Sequence, residues 1–304
     1  MLRHRRDPCV AVTRHSHQTL DDGLADETPR LVGRWWIAAA TVAVVGAAVL
    51  LYARAVATEP PIWADEFNGR AGAPPDHGRW SFETGRSWGN GTELQHYTAA
   101  PSNVSQDGRG LLRIVARKTD AVQGTARFTS ARITTLGKFG FTYGRLEARI
   151  KLPAGTGILP AFWTVGSDAG RVPWPQCGEI DVVEIPGRTS RVAVYHVHGP
   201  DENGRDVAMS RRFARSRTLA GAFHVYGIDW GPHEIQFRLD GKVTATITRF
   251  AYERRGGRWP VFQKPHAIVL SIAVGNPWTG PPDADSRWPA TMLVDWLRVY
   301  RKAS

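Results

Sequence analysis

The sequence predicts an all-β domain, a two-sheet sandwich or a barrel, and three observations carry that reading. Short segments alternate polar and apolar residues with a period of two. Abundant Gly (31) and Pro (20) punctuate them. Outside one N-terminal apolar run, no long 3.6-residue periodicity appears.

That N-terminal run comes first along the chain. Residues 35–53 (WWIAAATVAVVGAAVLLYA) form an uncharged stretch of 19 residues between Arg34 and Arg54. It is close to the ~20 residues a helix needs to cross a bilayer. Arg30 and Arg34 precede it while Glu59, Asp65 and Glu66 follow, so the N-terminus is expected on the cytoplasmic side. Residues 1–34 read as a cytoplasmic leader, 35–57 as a transmembrane signal anchor or a signal peptide, and 58–304 as one exported domain. Ala55-Val56-Ala57 fits a small-residue cleavage site, so anchor and cleaved signal both stay open. Either way the product is expected extracellularly or at the cell surface.

Within the exported part, Leu112, Ile114 and Ala116 alternate with Leu111, Arg113, Val115 and Arg117. Leu146, Ala148, Ile150 and Leu152 alternate with Arg145, Glu147, Arg149 and Lys151. Ile235, Phe237 and Leu239 form a third such face, running into the hairpin signal Asp240-Gly241. Near the C-terminus Leu293, Asp295, Leu297 and Val299 alternate with Val294, Trp296, Arg298 and Tyr300.

The segment 178–187, GEIDVVEIPG, departs from this regularity. Ile and Val at this density form a strand, and Glu179 and Asp181 share one face of it. Glu184 is five residues from Glu179, an odd offset that would aim a regular strand's carboxylate into the core. A buried unpaired charge costs several kcal/mol. A β-bulge at Val182-Val183 resolves the conflict: one extra residue returns Glu184 to the face of the other two acids. Two Glu on one surface suit a retaining glycosidase, with one nucleophile and one acid/base. Three clustered acids cannot all ionise without cost, which suits Glu184 as the proton-bearing acid/base and Glu179 as the ionised nucleophile. Twelve Trp supply flat faces for stacking on sugars, and Trp163 and Trp174 flank the acids.

The run Glu179-Ile180-Asp181-Val182-Val183-Glu184 resembles the ExDxxE signature of glycoside hydrolase family 16 in its bulged, laminarinase-like form. WADEF (63–67), WGNGTELQHYT (88–98), PAFWTVG (160–166), WPQCGEIDVVE (174–184) and MLVDWLRVY (292–300) also resemble family segments, in order. The resemblance implies a concanavalin-like β-jelly roll of two curved antiparallel sheets and endo-hydrolysis of a β-glucan with retention. It implies Glu179 as nucleophile, Glu184 as acid/base and Asp181 as the carboxylate that tunes them. It also implies sugar contacts from Trp174, His198, Arg132, Asn90 and Trp163, with no cofactor required. A structural calcium at Asp295 and the Gly108 carbonyl is a further implication. Three segments depart from the family pattern: Gly91 in WGNGTELQ, AVGNPWTGPP (273–282) and the continuation HVHGPDENGRDVAM (196–209). All three bear on substrate preference.

Composition constrains the alternatives. Lys and Arg number 39 against 28 Asp and Glu, but Arg is scattered without a helix-length basic stripe, so no nucleic-acid partner is expected. Cys9 and Cys177 have no CxxC partner, which removes dithiol chemistry and structural zinc. His196 and His198 share a strand face and could hold zinc, but the spacing indicates no third ligand. The rivals to a β-1,3-glucanase are a non-catalytic carbohydrate-binding protein of the same fold and an enzyme acting on a galactan or other cell-wall polymer. The partner is expected to be a polysaccharide, plus the membrane if the N-terminal helix is retained, and the protein is expected to be a monomer.

Overall fold

The computed structural model describes residues 60–86, 92–120, 127–284 and 286–301. The leader, the apolar run 35–53 and Asn90 lie outside the described residues; within them no helix is long and apolar enough to cross a membrane.

Among the described residues the strands are β1 (Trp63–Asp65), β2 (Ser81–Glu83), β3 (Gln95–Tyr97), β4 (Val104–Gln106), β5 (Leu112–Lys118) and β6 (Phe128–Ser130). They continue with β7 (Arg132–Thr134), β8 (Gly144–Lys151), β9 (Ile158–Gly166), β10 (Glu179–Glu184), β11 (Val192–Pro200) and β12 (Asp206–Ala214). The last are β13 (Phe223–Trp230), β14 (Glu234–Leu239), β15 (Lys242–Thr248), β16 (His266–Val274) and β17 (Ala290–Tyr300). One sheet runs β15-β14-β13-β8-β17-β5-β6-β3, with β1 on β17 and β4 on β5. The other runs β12-β11-β10-β9-β16-β7-β2. This is the jelly-roll-like sandwich of two sheets; pairing is antiparallel except between β3 and β6.

The two sheets differ in how their outer faces are used, and that difference positions the site. Strand β8 alternates buried and half-buried residues along its whole length, with Leu146, Ala148 and Ile150 inward and Arg145, Glu147 and Arg149 outward. Its outer face is wet and laced with ion pairs such as Arg145 to Asp229 at 2.6 Å and Arg298 to Glu66 at 2.8 Å. Strands β9 and β16 are buried at every position. Their even-numbered residues, Phe162, Ile268, Leu270 and Ile272 among them, join the inter-sheet core. Their odd-numbered residues Ala161, Trp163, Val165 and Val269 form a second apolar cluster with Cys177 on the opposite face. A sheet covered on both sides reads as continuous apolar sequence, as these two strands do.

The Asp240-Gly241 hairpin forms as its sequence requires. Both residues take positive φ, 50° and 78°, as a type I′ turn between β14 and β15 demands.

The alternation expected in the last strand is corrected. The pairing of β17 with β8 shifts between Val294 and Trp296, leaving Asp295 as an extra residue. Met292 and Val294 therefore face inward before the shift, and Leu297 and Val299 after it. Leu293 does not share the face of Leu297, because the bulge exchanges odd for even positions.

The core also encloses His266, with Nδ1 3.0 Å from Thr164 Oγ1 and Nε2 3.0 Å from the Val261 carbonyl. A carbonyl only accepts, so Nε2 carries the proton and Nδ1 accepts from the threonine. Burial pushes the His266 pKa from 6.5 down to about 4. The unfolded chain takes up this proton as pH falls through 6.5, whereas the fold resists until about 4. Stability present above pH 6.5 is thus lost as pH falls to 4, by about 3 kcal/mol in all. Replacing His266 with Gln removes this pH-dependent contribution. In urea unfolding, the difference between wild type and H266Q is expected to fall by about that amount from pH 7 to pH 4.

Candidate active site

Strand β10 forms as a bulged strand. Against β9, Asp181 pairs with Trp163 and Val183 with Phe162, so Val182 is the extra residue. Against β11, Asp181 pairs with His196 and Glu184 with Val194, so two valines oppose Tyr195. Val182 and Val183 are both fully buried in the inter-sheet core, each burial contributing roughly 1.5–3 kcal/mol. With both valines inward, Glu179, Asp181 and Glu184 all line one cleft. Gly178 precedes them at φ +74° with Val261 3.0 Å from the place a Cβ would occupy. A larger residue there would be strained and crowded at the entry to the strand.

The cleft has a volume of about 730 Å³ and lies on the outer face of the seven-stranded sheet. The expected site residues Trp174, His198, Arg132 and Trp163 line it with the three acids. Asn90 lies outside the described residues. Trp174 is 42% exposed and its Nε1–H donates to Glu179 Oε2 at 3.1 Å. Trp163 is nearly buried in the floor, donating to Ser271 Oγ at 3.2 Å. It therefore offers an edge to the cleft rather than an open stacking face. Arg132 is clamped between the rings of Tyr97 and Trp163, 5.0 and 5.1 Å from their centroids, and pairs with Glu83 at 3.5 Å.

Each glutamate has its own partner. Glu184 Oε2 lies 2.7 Å from His196 Nδ1. Glu179 has Trp174 on one oxygen and lies within hydrogen-bonding reach of Asp181. Asp181 is 4% exposed, and burial, followed by the charges of Glu179 and Glu184, raises its pKa well above the carboxylate range. The Glu179 pKa is also raised, first by burial and then by Glu184, while His198, Arg132 and the Trp174 hydrogen bond pull it back. Asp181 is the most deeply enclosed of the three acids, and its raised pKa favours a protonated carboxyl that can donate to Glu179. For His198, burial alone would lower the pKa. The hydrogen bond to Asp206 and the charges of Glu179, Asp206 and Glu184 outweigh burial and raise it.

Among the lining residues not named as site residues from the sequence are Trp278, Glu93, Asn276 and, as a partner of Glu184, His196. Trp278 is 46% exposed and meets His196 edge-on at 5.5 Å. The signal for it was a Trp in the Pro-rich loop that follows the fully buried strand β16.

The Asp295 carboxylate is engaged by the Arg149 guanidinium, and Gly108 sits at φ +79° in a turn packed on Ala71. An Asp already neutralised by a guanidinium fits a cation poorly, so no role is derived for calcium. Among the described residues, Asp181, His196 and His198 are the group of His, Cys, Asp or Glu side chains close enough to share an ion.

The chain has counterparts among known proteins. Residues 92–298 match the model for glycosyl hydrolases family 16. A β-glucanase from Rhodothermus marinus is 38% identical over 253 residues, covering 79% of this chain and 84% of its own length. Glucan endo-1,3-β-glucosidase A1 from Niallia circulans is 34% identical over 261 residues, and the match spans 79% of this chain but only 38% of that longer protein. The laminarinase catalytic domain from Thermotoga maritima superposes with a TM-score of 0.71 at 34% identity, covering 81% of this chain and all of that domain. The chain belongs to glycosyl hydrolase family 16 and is a glycoside hydrolase.

Proposed function

We propose that the chain is an exported, retaining endo-glycosidase that hydrolyses β-1,3-glucan, with Glu179 as nucleophile and Glu184 as acid/base. The observation that carries this reading is the bulge of β10, which delivers both glutamates to one cleft with different partners. Glu179 attacks the anomeric carbon from below while Glu184 protonates the departing glycosidic oxygen. Trp174 and the Asp181 proton hold Glu179 as an oriented acceptor whose charge is spent on forming the glycosyl-enzyme bond. Glu184, now a carboxylate, takes a proton from water, and the water attacks the same carbon from the opposite side. The His196 ring, with Nδ1 2.7 Å from Glu184 Oε2, holds that carboxyl in place through both stages and leaves its other oxygen to exchange the proton with the leaving group and with water.

The substrate class follows from the cleft and the relatives. Trp174 and Trp278 present half-exposed faces at the mouth, as stacking on glucosyl rings requires. Matched relatives named as β-glucanase and glucan endo-1,3-β-glucosidase support a β-1,3-linked chain. Export rests on the apolar run 35–53 and its flanking charges.

A panel of β-1,3-glucan, mixed-linkage glucan, galactan and arabinogalactan, with product sizing, tests the polymer. Laminarin is expected to yield short oligosaccharides from internal cuts. Proton NMR of the first product should show the β-anomer; an α-anomer released first would contradict the double displacement. Binding without new reducing ends on any polymer would make the protein a lectin.

A further inference from the structure

We propose that Asp181, His196 and His198 form a binding site for a divalent transition-metal ion, zinc by its donor set, and that the bound ion closes the cleft to substrate. One ligand atom from each residue lies within 4.8 Å of the other two. The strands dictate this. Asp181 stands directly across from His196 in the β10–β11 ladder, and His198, two residues on, shares the face of His196. The third ligand that the spacing of the histidines did not indicate comes from the neighbouring strand.

Both imidazoles are already oriented as metal ligands. Asp206 holds His198 Nδ1 at 3.0 Å, and His198 Nε2 points to Asp181 Oδ2 at 3.8 Å. Glu184 Oε2 holds His196 Nδ1 at 2.7 Å. A carboxylate on the far nitrogen fixes tautomer and ring angle and raises ligand basicity. Asp181 Oδ2 is buried and has no hydrogen-bond partner. It lies 3.8 Å from His198 Nε2, and a bound ion would take the place of the Asp181 proton.

Two imidazoles and one carboxylate match zinc, whereas calcium and magnesium call for six or more oxygens. Bond lengths of about 2.0–2.2 Å bring tetrahedral ligands to roughly 3.5 Å of one another. That separation lies within reach of side-chain rotation alone. The fourth position opens into the cleft, where water or a sugar hydroxyl would sit. An ion there displaces the proton that Asp181 offers Glu179 and fills space between the two glutamates. Binding is argued from geometry alone; the closure of the cleft rests on the glucanase reading.

Calorimetric titration of the folded domain with zinc chloride, and the visible absorption of a cobalt(II) adduct, test the site directly. One ion per chain is expected, with a tetrahedral cobalt band. H196Q and H198Q should each weaken binding at least tenfold, and D206N about tenfold by releasing the ring of His198. D206N also serves if either histidine variant fails to fold. Laminarin hydrolysis by the wild type should fall with the same zinc midpoint as the heat signal and return on adding a chelator. No stoichiometric binding, or binding equally tight in H196Q and D206N, overturns the site. Site-specific binding that leaves hydrolysis unchanged overturns the closure. Zinc binding in a protein that cuts no glucan supports the site while refuting the glucanase reading.

Discussion

E179Q is expected to abolish laminarin hydrolysis while leaving laminarin binding intact. The amide keeps the shape of the side chain and still accepts from Trp174 Nε1–H at the position Glu179 Oε2 now holds, 3.1 Å away. It cannot attack an anomeric carbon, so no glycosyl-enzyme forms. Loss of an activated nucleophile costs roughly 10⁴-fold or more in kcat. Binding should change little, because the aromatic faces of Trp174 and Trp278 remain in place. The sharper form of the test is E179G with azide and an aryl β-glucoside oligomer. Azide can enter the vacated space and attack directly, giving an α-glycosyl azide by a single inversion. Azide-independent turnover in E179G, or a β-azide, would place the nucleophile elsewhere.

How much of this was legible beforehand turns on what a linear pattern records. The bulge of β10 was legible because acids are costly in a core, so the odd spacing of Glu184 from Glu179 had one inexpensive solution. The bulge of β17 was not, because Asp295 sits half-exposed on the outer sheet and its neighbours on either side are apolar in both registers. Strand existence and the Asp240-Gly241 turn were local matters and came through. The ownership of the proton was not local. Three acids in six residues look equivalent in sequence, and only the depth of Asp181 beneath Glu179 and Glu184 separates them. His196 and Trp278 were hidden for the same reason, since their roles come from β11 and the 275–280 loop meeting over β10. Cross-strand neighbours are set by register, which a chain read end to end does not display.

E184Q should separate the two chemical steps rather than merely slow them. On laminarin the leaving group is a sugar alkoxide that needs a proton, so kcat is expected to fall by about 10²–10⁴-fold. On an aryl β-glucoside oligomer with an acidic phenol, the first step needs no proton and should proceed near the wild-type rate. The second step then stalls, because no carboxylate remains to activate water, and a burst of phenol should accompany an accumulating glycosyl-enzyme detectable by intact mass. Azide, already an anion, needs no base; it should restore turnover and yield a β-glycosyl azide by two inversions. The opposite azide anomers from E179G and E184Q follow from one arrangement, with Glu179 on one side of the sugar plane and Glu184 on the other. An equal loss on both substrates, without burst or azide rescue, would reduce Glu184 to a structural carboxylate and move the acid to another residue.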